Sequence, residues 1–212
     1  MEGKPTTPVK EFITVGFTLP DRHPSGVKHE AAAISEYLSS GAIDFFHIRK
    51  PACDIDYTRE LIKSVDPELH PRLVLHSHYD LAKDFALKGV HSKAESAPLG
   101  QLHPSAGFHS LAELESVDVE TFDYVFLSPV FDSISKQGYA SPFNLDDDKL
   151  KESLSNFKNV VGLGGVSPEK FLNLCRANFA GSALLGYLWT DREPINEKIE
   201  IIKKFKILCC NS

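Results

Sequence analysis

Residues 123–136 have the sequence Asp-Tyr-Val-Phe-Leu-Ser-Pro-Val-Phe-Asp-Ser-Ile-Ser-Lys, which combines an apolar run with a polar segment. The apolar run at 124–127, closed by a Ser-Pro pair, predicts a buried strand that ends at a turn. Ser133, Ser135 and Lys136 place two hydroxyls and one cation just beyond the strand end. This composition suits an anion such as phosphate, which needs several donors and positive charge. An ordinary surface loop is the alternative, because short motifs of this kind also occur without a ligand.

On both sides of this strand, apolar runs alternate with helical patterns. The apolar runs predict strands at 12–17, 43–49, 73–76, 89–91, 106–108, 124–127, 160–163 and 180–185. Apolar spacing together with start and stop residues predicts helices that begin near 27, 54, 79, 110, 145, 168 and 194. Regular alternation predicts an α/β fold with a parallel sheet, and about eight repeats predict a single (β/α)8 TIM barrel.

A doubly wound open sheet is the alternative architecture. No Gly-x-Gly-x-x-Gly motif follows the first predicted strand, which counts against this alternative. No linker or low-complexity segment interrupts the pattern. We therefore expect one barrel domain over residues 1–212, with residues 1–10 as a loose leader.

The composition is that of an ordinary globular chain, with 42% hydrophobic and 25% charged residues. A formal net charge of -6 offers no basic footprint, so we expect no nucleic-acid partner. Four cysteines without a Cys-x-x-Cys pair are typical of a reduced protein. The sequence shows no signal peptide and no apolar run of membrane-spanning length, so we expect a cytoplasmic protein without a membrane partner.

In a barrel of this type, functional residues lie at the C-terminal ends of the strands. His47 and Arg49 are two residues apart, so both side chains point to the same face of their strand. A buried arginine there needs an anionic partner, either a bound phosphate or an acid on a neighbouring strand. Glycines at 164–165 and Gly186 would let backbone N–H groups approach an anion, with a helix start beside the first pair.

Histidines follow several predicted strands, which raises the question of a metal site. His76 and His78 are two apart and could share a face. A hydrolytic metal site usually includes a carboxylate, and Glu95 is the one obvious candidate. Hydrogen-bonded structural histidines are therefore the expectation, with a metal site as the alternative.

Taken in order, several segments resemble the thiamine phosphate synthase and thiazole tautomerase superfamily over roughly residues 12–189. The segments that carry the resemblance are 46–50 (Phe-His-Ile-Arg-Lys), 77–82 (Ser-His-Tyr-Asp-Leu-Ala), 89–91 (Gly-Val-His), 108–113 (Phe-His-Ser-Leu-Ala-Glu), 123–136, 162–166 (Gly-Leu-Gly-Gly-Val) and 180–183 (Ala-Gly-Ser-Ala). The resemblance implies a (β/α)8 barrel that joins a pyrimidine methyl pyrophosphate to a thiazole phosphate, giving thiamine monophosphate and pyrophosphate.

The resemblance also implies roles for individual residues. Arg49 and Lys136 correspond to pyrophosphate-binding cations, and His109 corresponds to an acid/base histidine. We take these three as the candidate catalytic residues. The candidate substrate-binding residues are His47, Lys50, His76, Ser77, Ser133, Ser135, Gly164, Gly165, Leu185 and Gly186. The resemblance implies Mg²⁺ as cofactor and phosphorylated thiazole and pyrimidine molecules as the partners.

The metal-binding half of the family pattern is altered. The synthases have Asn-Asp at the end of the third strand, where this chain has His76-Ser77. A second metal aspartate falls near Ser96, with Glu95 one position away. Two alternatives follow from this difference: a tautomerase-like isomerase using His109, or a regulator that binds a phosphorylated ligand without turnover.

Overall fold

The computed structural model describes residues 11–92, 103–132 and 141–211. Eight strands form a closed barrel in the order β1 to β8, and every neighbouring pair is parallel. The strands are β1 (Ile13–Phe17), β2 (Phe45–Ile48), β3 (Leu73–Leu75), β4 (Gly89–Ser92), β5 (His103–Phe108), β6 (Tyr124–Leu127), β7 (Val160–Gly162) and β8 (Gly181–Leu184). The predicted barrel is confirmed. The predicted leader, residues 1–10, lies outside the described part of the chain.

Pairing of the first strand with the last distinguishes the barrel from the open-sheet alternative. Strand β1 pairs with β2 on one side and with β8 on the other. The sheet therefore has no edge, so no strand leaves its backbone donors and acceptors unpaired at a free edge.

The described residues include seven α-helices between and after the strands, and most of them begin close to the predicted positions. They are α1 (Val27–Ser39), α2 (Ile55–Ser64), α3 (Asp80–Asp84), α4 (Leu111–Glu115), α5 (Asp148–Ser155), α6 (Phe171–Arg176) and α7 (Ile195–Cys210). None of the helices in the described ranges is long and apolar enough to cross a membrane.

The local start and stop signals give a mixed result. Asp54 caps α2 by accepting a hydrogen bond from the Tyr57 N–H, as the sequence predicts. Gly41 lies just past α1 with φ +76, the left-handed conformation that glycine favours. Helical structure begins at Pro168 after Ser167, as predicted, but its first turn, Pro168–Lys170, is a 3-10 turn without a side-chain cap bond from Ser167, and α6 begins at Phe171.

Alternation along the strands divides the apolar side chains into two layers. Inside the barrel, residues from four strands form one cluster that includes Val15, Phe17, Phe126 and Val161. The intervening residues, such as Phe46 on β2, join a larger cluster beneath the helices. This period of two decides which side chains reach the barrel interior.

A buried ion pair joins α1 to the end of β2. The Lys50 Nζ lies 2.7 Å from Glu30 Oε1, and both side chains are fully buried. The same ammonium donates to the Asp21 carbonyl at 2.7 Å, and the Tyr57 hydroxyl donates to Glu30 Oε2 at 3.3 Å. Burial raises the pKa of Glu30, and the hydrogen bond from Lys50 opposes that rise.

Removing the lysine should destabilise the barrel, because the buried carboxylate of Glu30 would lose its cationic partner and keep only the hydrogen bond from Tyr57. We expect Lys50→Met to lower the free energy of unfolding by about 3–5 kcal/mol. Urea denaturation at pH 7 measures the change. The control is Lys83→Met, since Lys83 is exposed and its loss should cost at most about 0.5 kcal/mol. Equal decreases in the free energy of unfolding of the two variants would show that the buried ion pair stabilises the fold no more than an exposed lysine does.

Candidate active site

Three histidines from neighbouring strands meet inside the barrel near the C-terminal ends of β2, β3 and β4. The nitrogens His47 Nδ1 and His76 Nε2 are 2.8 Å apart. The rings of His76 and His91 stack with centroids 4.2 Å apart. One ring nitrogen from each of the three lies within 4.8 Å of the others. We call His47, His76 and His91 the histidine cluster.

Two hydroxyl groups fix the orientation of this cluster. The Tyr124 hydroxyl lies 2.6 Å from His47 Nε2, and the Ser105 Oγ lies 3.0 Å from His91 Nδ1. The ring of Phe126 packs against both of these histidines, at centroid distances of 5.2 and 5.7 Å. The cluster is therefore held by hydrogen bonds on one side and by aromatic packing on the other.

The environment of the cluster disfavours the charged form of every member. Burial, and next the neighbouring histidines and Lys88, lower the pKa of His47 well below its ordinary value. Burial, then His91 and Arg49, lower the pKa of His76 to about 2. Burial and then Arg49 lower the pKa of His91 to about 4. At neutral pH the cluster thus consists of neutral imidazoles, each with one nitrogen lone pair.

Arg49 follows β2 and lies close enough to repel the charged forms of His76 and His91. Its backbone is tied to Thr18, since its N–H donates to the Thr18 Oγ1 at 2.9 Å and that hydroxyl donates to the Arg49 carbonyl at 3.1 Å. The residue is exposed, so the sequence argument that burial demands an anionic partner does not apply. No ion pair joins it to another residue in the described ranges. Its charge remains available to a ligand at the barrel mouth.

The remaining cation predicted on this strand is placed differently. The Lys50 ammonium is directed into the pair with Glu30 rather than toward the histidine cluster. Its charge is already compensated there. A part for Lys50 in substrate binding stays a prediction.

Glycines 164 and 165 allow the turn after β7 to contact the segment after β6. Both have positive φ, at 100 and 63. A Cβ on Gly165 would lie 2.5 Å from the Asp132 carbonyl oxygen, and one on Gly164 would lie 2.9 Å from Pro129 Cα. The Phe131 N–H donates to the Gly164 carbonyl at 3.1 Å. Close packing of two turns therefore explains these glycines, whether or not the turn also binds phosphate.

The corresponding turn after β8 is more open. Leu185 is half-buried against the interior cluster, and Gly186 is exposed at the start of a 3-10 turn. A Cβ on Gly186 would meet nothing within 4 Å. The surface beside Gly186 is therefore open to a ligand. Ser77, which follows β3, is half-buried.

His109 lies at the end of β5 and does not join the histidine cluster. Its Nδ1 lies 3.1 Å from the Ser128 carbonyl, and its backbone N–H donates to Glu113 Oε2 at 2.7 Å. The Ser110 hydroxyl accepts from the Glu113 N–H, which completes the cap of α4. The His109 ring is exposed, and with Leu111, Phe143 and neighbouring residues it lines a cavity of about 300 Å³. Its acid/base role stays a prediction.

Four predicted site residues lie outside the described ranges. Ser133, Ser135 and Lys136, which carry the predicted phosphate loop, lie outside the described residues, as does Glu95, the predicted metal ligand. Asp132 is the last described residue before the loop, and its Oδ1 accepts from the Ser141 N–H at 2.7 Å. The two described ends of this loop are therefore held together beside the turn at residues 164–165.

The chain matches one family of known proteins over most of its length. The sequence model described as thiamine monophosphate synthase matches residues 19–188, which is most of the barrel. The chain belongs to the thiamine monophosphate synthase family. A curated relative named thiamine-phosphate synthase, from Koribacter versatilis, is 26% identical over 157 residues, covering 70% of this chain and 73% of the relative.

Solved structures agree with this family membership. A thiamine phosphate pyrophosphorylase from Bacteroides thetaiotaomicron is 27% identical with a TM-score of 0.73, covering 93% of this chain and 97% of that chain. Another, from Pyrococcus furiosus, is 17% identical with the same TM-score of 0.73, covering 94% and 98%. The second likeness shows a shared fold only.

Part of the histidine cluster is not predicted by the sequence of this synthase-family chain. Nothing in the spacing places His91 beside His47 and His76, or Tyr124 and Ser105 within hydrogen-bond distance of them. Strand alternation offered a signal, because Tyr124 lies two residues before Phe126 and so shares its face. A buried tyrosine hydroxyl needs a hydrogen-bond partner, which points to a polar group inside the barrel.

The neutral cluster makes the stability of the barrel depend on pH. The unfolded chain protonates these histidines near pH 6.5 and the folded chain does so only at lower pH, so the unfolded state binds more protons in between. The contribution of the neutral histidines to stability is therefore fully present at pH values above their unfolded pKa of about 6.5. As the pH falls below 6.5, we expect it to decrease by at most about 1.4 kcal/mol per unit for each histidine.

Urea denaturation between pH 7.5 and 5.0 with EDTA present measures this decrease. The variant His91→Asn should show a shallower slope, because it removes one group that titrates in the unfolded chain. His29→Asn is the control, since His29 is exposed and lies outside the cluster. Identical slopes in the wild type and His91→Asn would contradict the prediction.

The turn at residues 164–165 gives a further test of stability. We expect Gly165→Ala to lower the free energy of unfolding by about 2–5 kcal/mol, because left-handed strain and a steric clash add. Gly41→Ala is the matched control: Gly41 also has positive φ, at 76, but a Cβ there meets nothing within 4 Å. Strain alone should cost about 1–2 kcal/mol. Equal losses in thermal or urea denaturation would mean that contact with Asp132 is unimportant.

Proposed function

We propose that this protein is a thiamine-phosphate synthase. It would join a hydroxymethylpyrimidine pyrophosphate to a thiazole phosphate, giving thiamine monophosphate and pyrophosphate. The observation that carries the proposal is the family match over residues 19–188, which spans Arg49, the histidine cluster and both glycine turns. The relatives named as synthases match this chain over most of its length.

In the reaction, the bond between the pyrimidine methylene carbon and the pyrophosphate oxygen breaks. The thiazole nitrogen then forms a new bond to that carbon. Negative charge develops on the leaving pyrophosphate, and a positioned cation lowers the barrier by stabilising that charge. Arg49 supports this role because it is exposed at the barrel mouth and has no ion pair within the described residues.

The interior below Arg49 suits the uncharged part of a substrate. Neutral imidazoles and the ring of Phe126 line it. An aromatic pyrimidine could stack on such rings. The phosphate of the thiazole would bind near Gly164 and Gly186, where backbone N–H groups and turns approach the mouth.

The expected Mg²⁺ does not fit the described ends of β3 and β4. Mg²⁺ prefers hard oxygen ligands, above all carboxylates and phosphates. The residues present at these two strand ends are His76, Ser77, His91 and Ser92, and none is a carboxylate. A Mg²⁺ requirement therefore stays an implication of the family resemblance.

The two alternatives receive less support. The relatives reported above are named synthases or pyrophosphorylases, which favours transfer over the isomerisation that His109 would also permit. A regulator without turnover would also keep Arg49, so only an assay separates it from an enzyme.

The test is to incubate the protein with both phosphorylated substrates and Mg²⁺ and to measure thiamine monophosphate. We expect product in the wild type. Arg49→Ala should lose about 1.5–3 kcal/mol of transition-state stabilisation, the range for a hydrogen bond to a charged group, measured as a decrease in kcat/KM.

The matched control is Arg176→Ala. Arg176 is exposed at the end of α6, which precedes β8 and thus lies at the opposite end of the barrel. Its loss should leave kcat/KM unchanged. Bound substrate without product would refute the synthase and favour the regulator, and an Arg49→Ala enzyme with full activity would refute the assigned role.

A further inference from the structure

We propose that the histidine cluster, His47, His76 and His91, is a binding site for a transition-metal ion of the Zn²⁺ type. The proposal concerns metal binding and is independent of the synthase activity. The observations that carry it are the proximity of three imidazole nitrogens, the hydroxyl groups that orient two of the rings, and the partial exposure of His76 and His91.

The spacing of the nitrogens is close to that of a metal site. Zn²⁺ binds imidazole nitrogens at about 2.0–2.1 Å, so two ligands of a tetrahedral ion lie about 3.3 Å apart. His47 Nδ1 and His76 Nε2 are 2.8 Å apart, and all three ligand nitrogens lie within 4.8 Å. Movements of about half an ångström to one ångström, together with a rotation that unstacks the rings of His76 and His91, would bring all three nitrogens to bonding distance of one ion.

The hydrogen bonds leave the correct nitrogens for the ion. With its Nε2–H donated to the Tyr124 hydroxyl, His47 presents the Nδ1 lone pair to the centre of the cluster. With its Nδ1–H donated to Ser105, His91 presents Nε2. His47 and His76 now share a proton in the hydrogen bond between His47 Nδ1 and His76 Nε2. When the ion binds, this proton would move to His76 Nδ1, and the ion would take the place of the hydrogen bond. Metal-binding histidines commonly have a second hydrogen bond of this kind.

His70 shows what a structural histidine looks like in the same chain. It is buried, and its Nε2 lies 3.0 Å from the Ile62 carbonyl and 3.3 Å from the Val65 carbonyl. Backbone groups thus satisfy its polar atom. In the histidine cluster, by contrast, His47 Nδ1 faces His76 Nε2, and between two neutral rings only one of these nitrogens carries a proton.

The ligand set selects the class of metal. Imidazole suits Zn²⁺, Co²⁺, Ni²⁺, Cu²⁺ and Fe²⁺, whereas Mg²⁺ requires oxygen ligands. Three protein ligands leave a fourth position open, which is the pattern of reactive rather than closed structural sites. His76 and His91 are half-buried, and Arg49 is exposed nearby. Water or a phosphate oxygen could therefore reach the fourth position from the barrel mouth.

Metal binding to tag-free protein, first stripped with EDTA, tests the proposal directly. Titration with Co²⁺ should give one ion per chain and the intense visible absorption of a low-symmetry, nitrogen-ligated centre. Zn²⁺ should displace Co²⁺ at equal concentration, in accord with its higher affinity for such ligands. A hundredfold excess of Mg²⁺ should displace none. Neither result depends on turnover, so the synthase proposal can fail without affecting this one.

Variants identify the ligands. His76→Asn and His91→Asn should each weaken Co²⁺ binding by more than about 100-fold, beyond the range seen for groups outside the coordination sphere. Tyr124→Phe keeps the ring but removes the hydrogen bond to His47, and should weaken binding by about 10–100-fold. The control His29→Asn should bind as the wild type does, because His29 is exposed and outside the cluster.

The proposal is overturned if wild-type protein shows no stoichiometric Co²⁺ or Zn²⁺ binding, or if His76→Asn and His91→Asn bind both ions as tightly as the wild type. Circular dichroism verifies that each variant is folded. If a histidine variant does not fold, the spectrum of the wild type decides: octahedral, oxygen-ligated Co²⁺ would exclude the cluster.

Discussion

Closure of the eight parallel strands is the constraint on which this protein depends. Pairing of β1 with β8 leaves no sheet edge and encloses every second side chain of each strand. Side chains far apart in sequence thereby occupy one interior. Phe17 and Phe126 come from the first and sixth strands, yet their ring centroids are 5.4 Å apart.

That same closure forces a compromise between stability and function. The lower interior is filled by apolar residues such as Val15 and Val161, which supply the hydrophobic contribution to folding. Toward the mouth, neutral imidazoles replace aliphatic side chains, and each must be desolvated and hydrogen-bonded. Tyr124 and Ser105 provide those hydrogen bonds. Functional groups of such barrels collect at the C-terminal ends of the strands, which is where these imidazoles lie.

The family pattern and the local chemistry point in different directions at one place. Arg49 and the glycine turns keep the anion-binding features of a synthase, whereas the ends of β3 and β4 present histidine where hard oxygen ligands were expected. Exchanging carboxylate for imidazole changes the preferred metal rather than abolishing metal binding, because ligand softness and geometry determine selectivity. A barrel can make this exchange without altering its fold, since the residues lie at strand ends and not in the packed layers.

The sequence by itself determined the order of strands and helices, because the periods of two and 3.6 residues are local properties of the chain. It also placed His47, Arg49 and His76 at strand ends, and the cap at Asp54. It did not determine that Lys50 is buried against Glu30, that His91 completes a cluster, or that Tyr124 orients it. These contacts join residues 15 to 77 positions apart. Only tertiary structure decides them, because the register and closure of the barrel set which distant side chains meet.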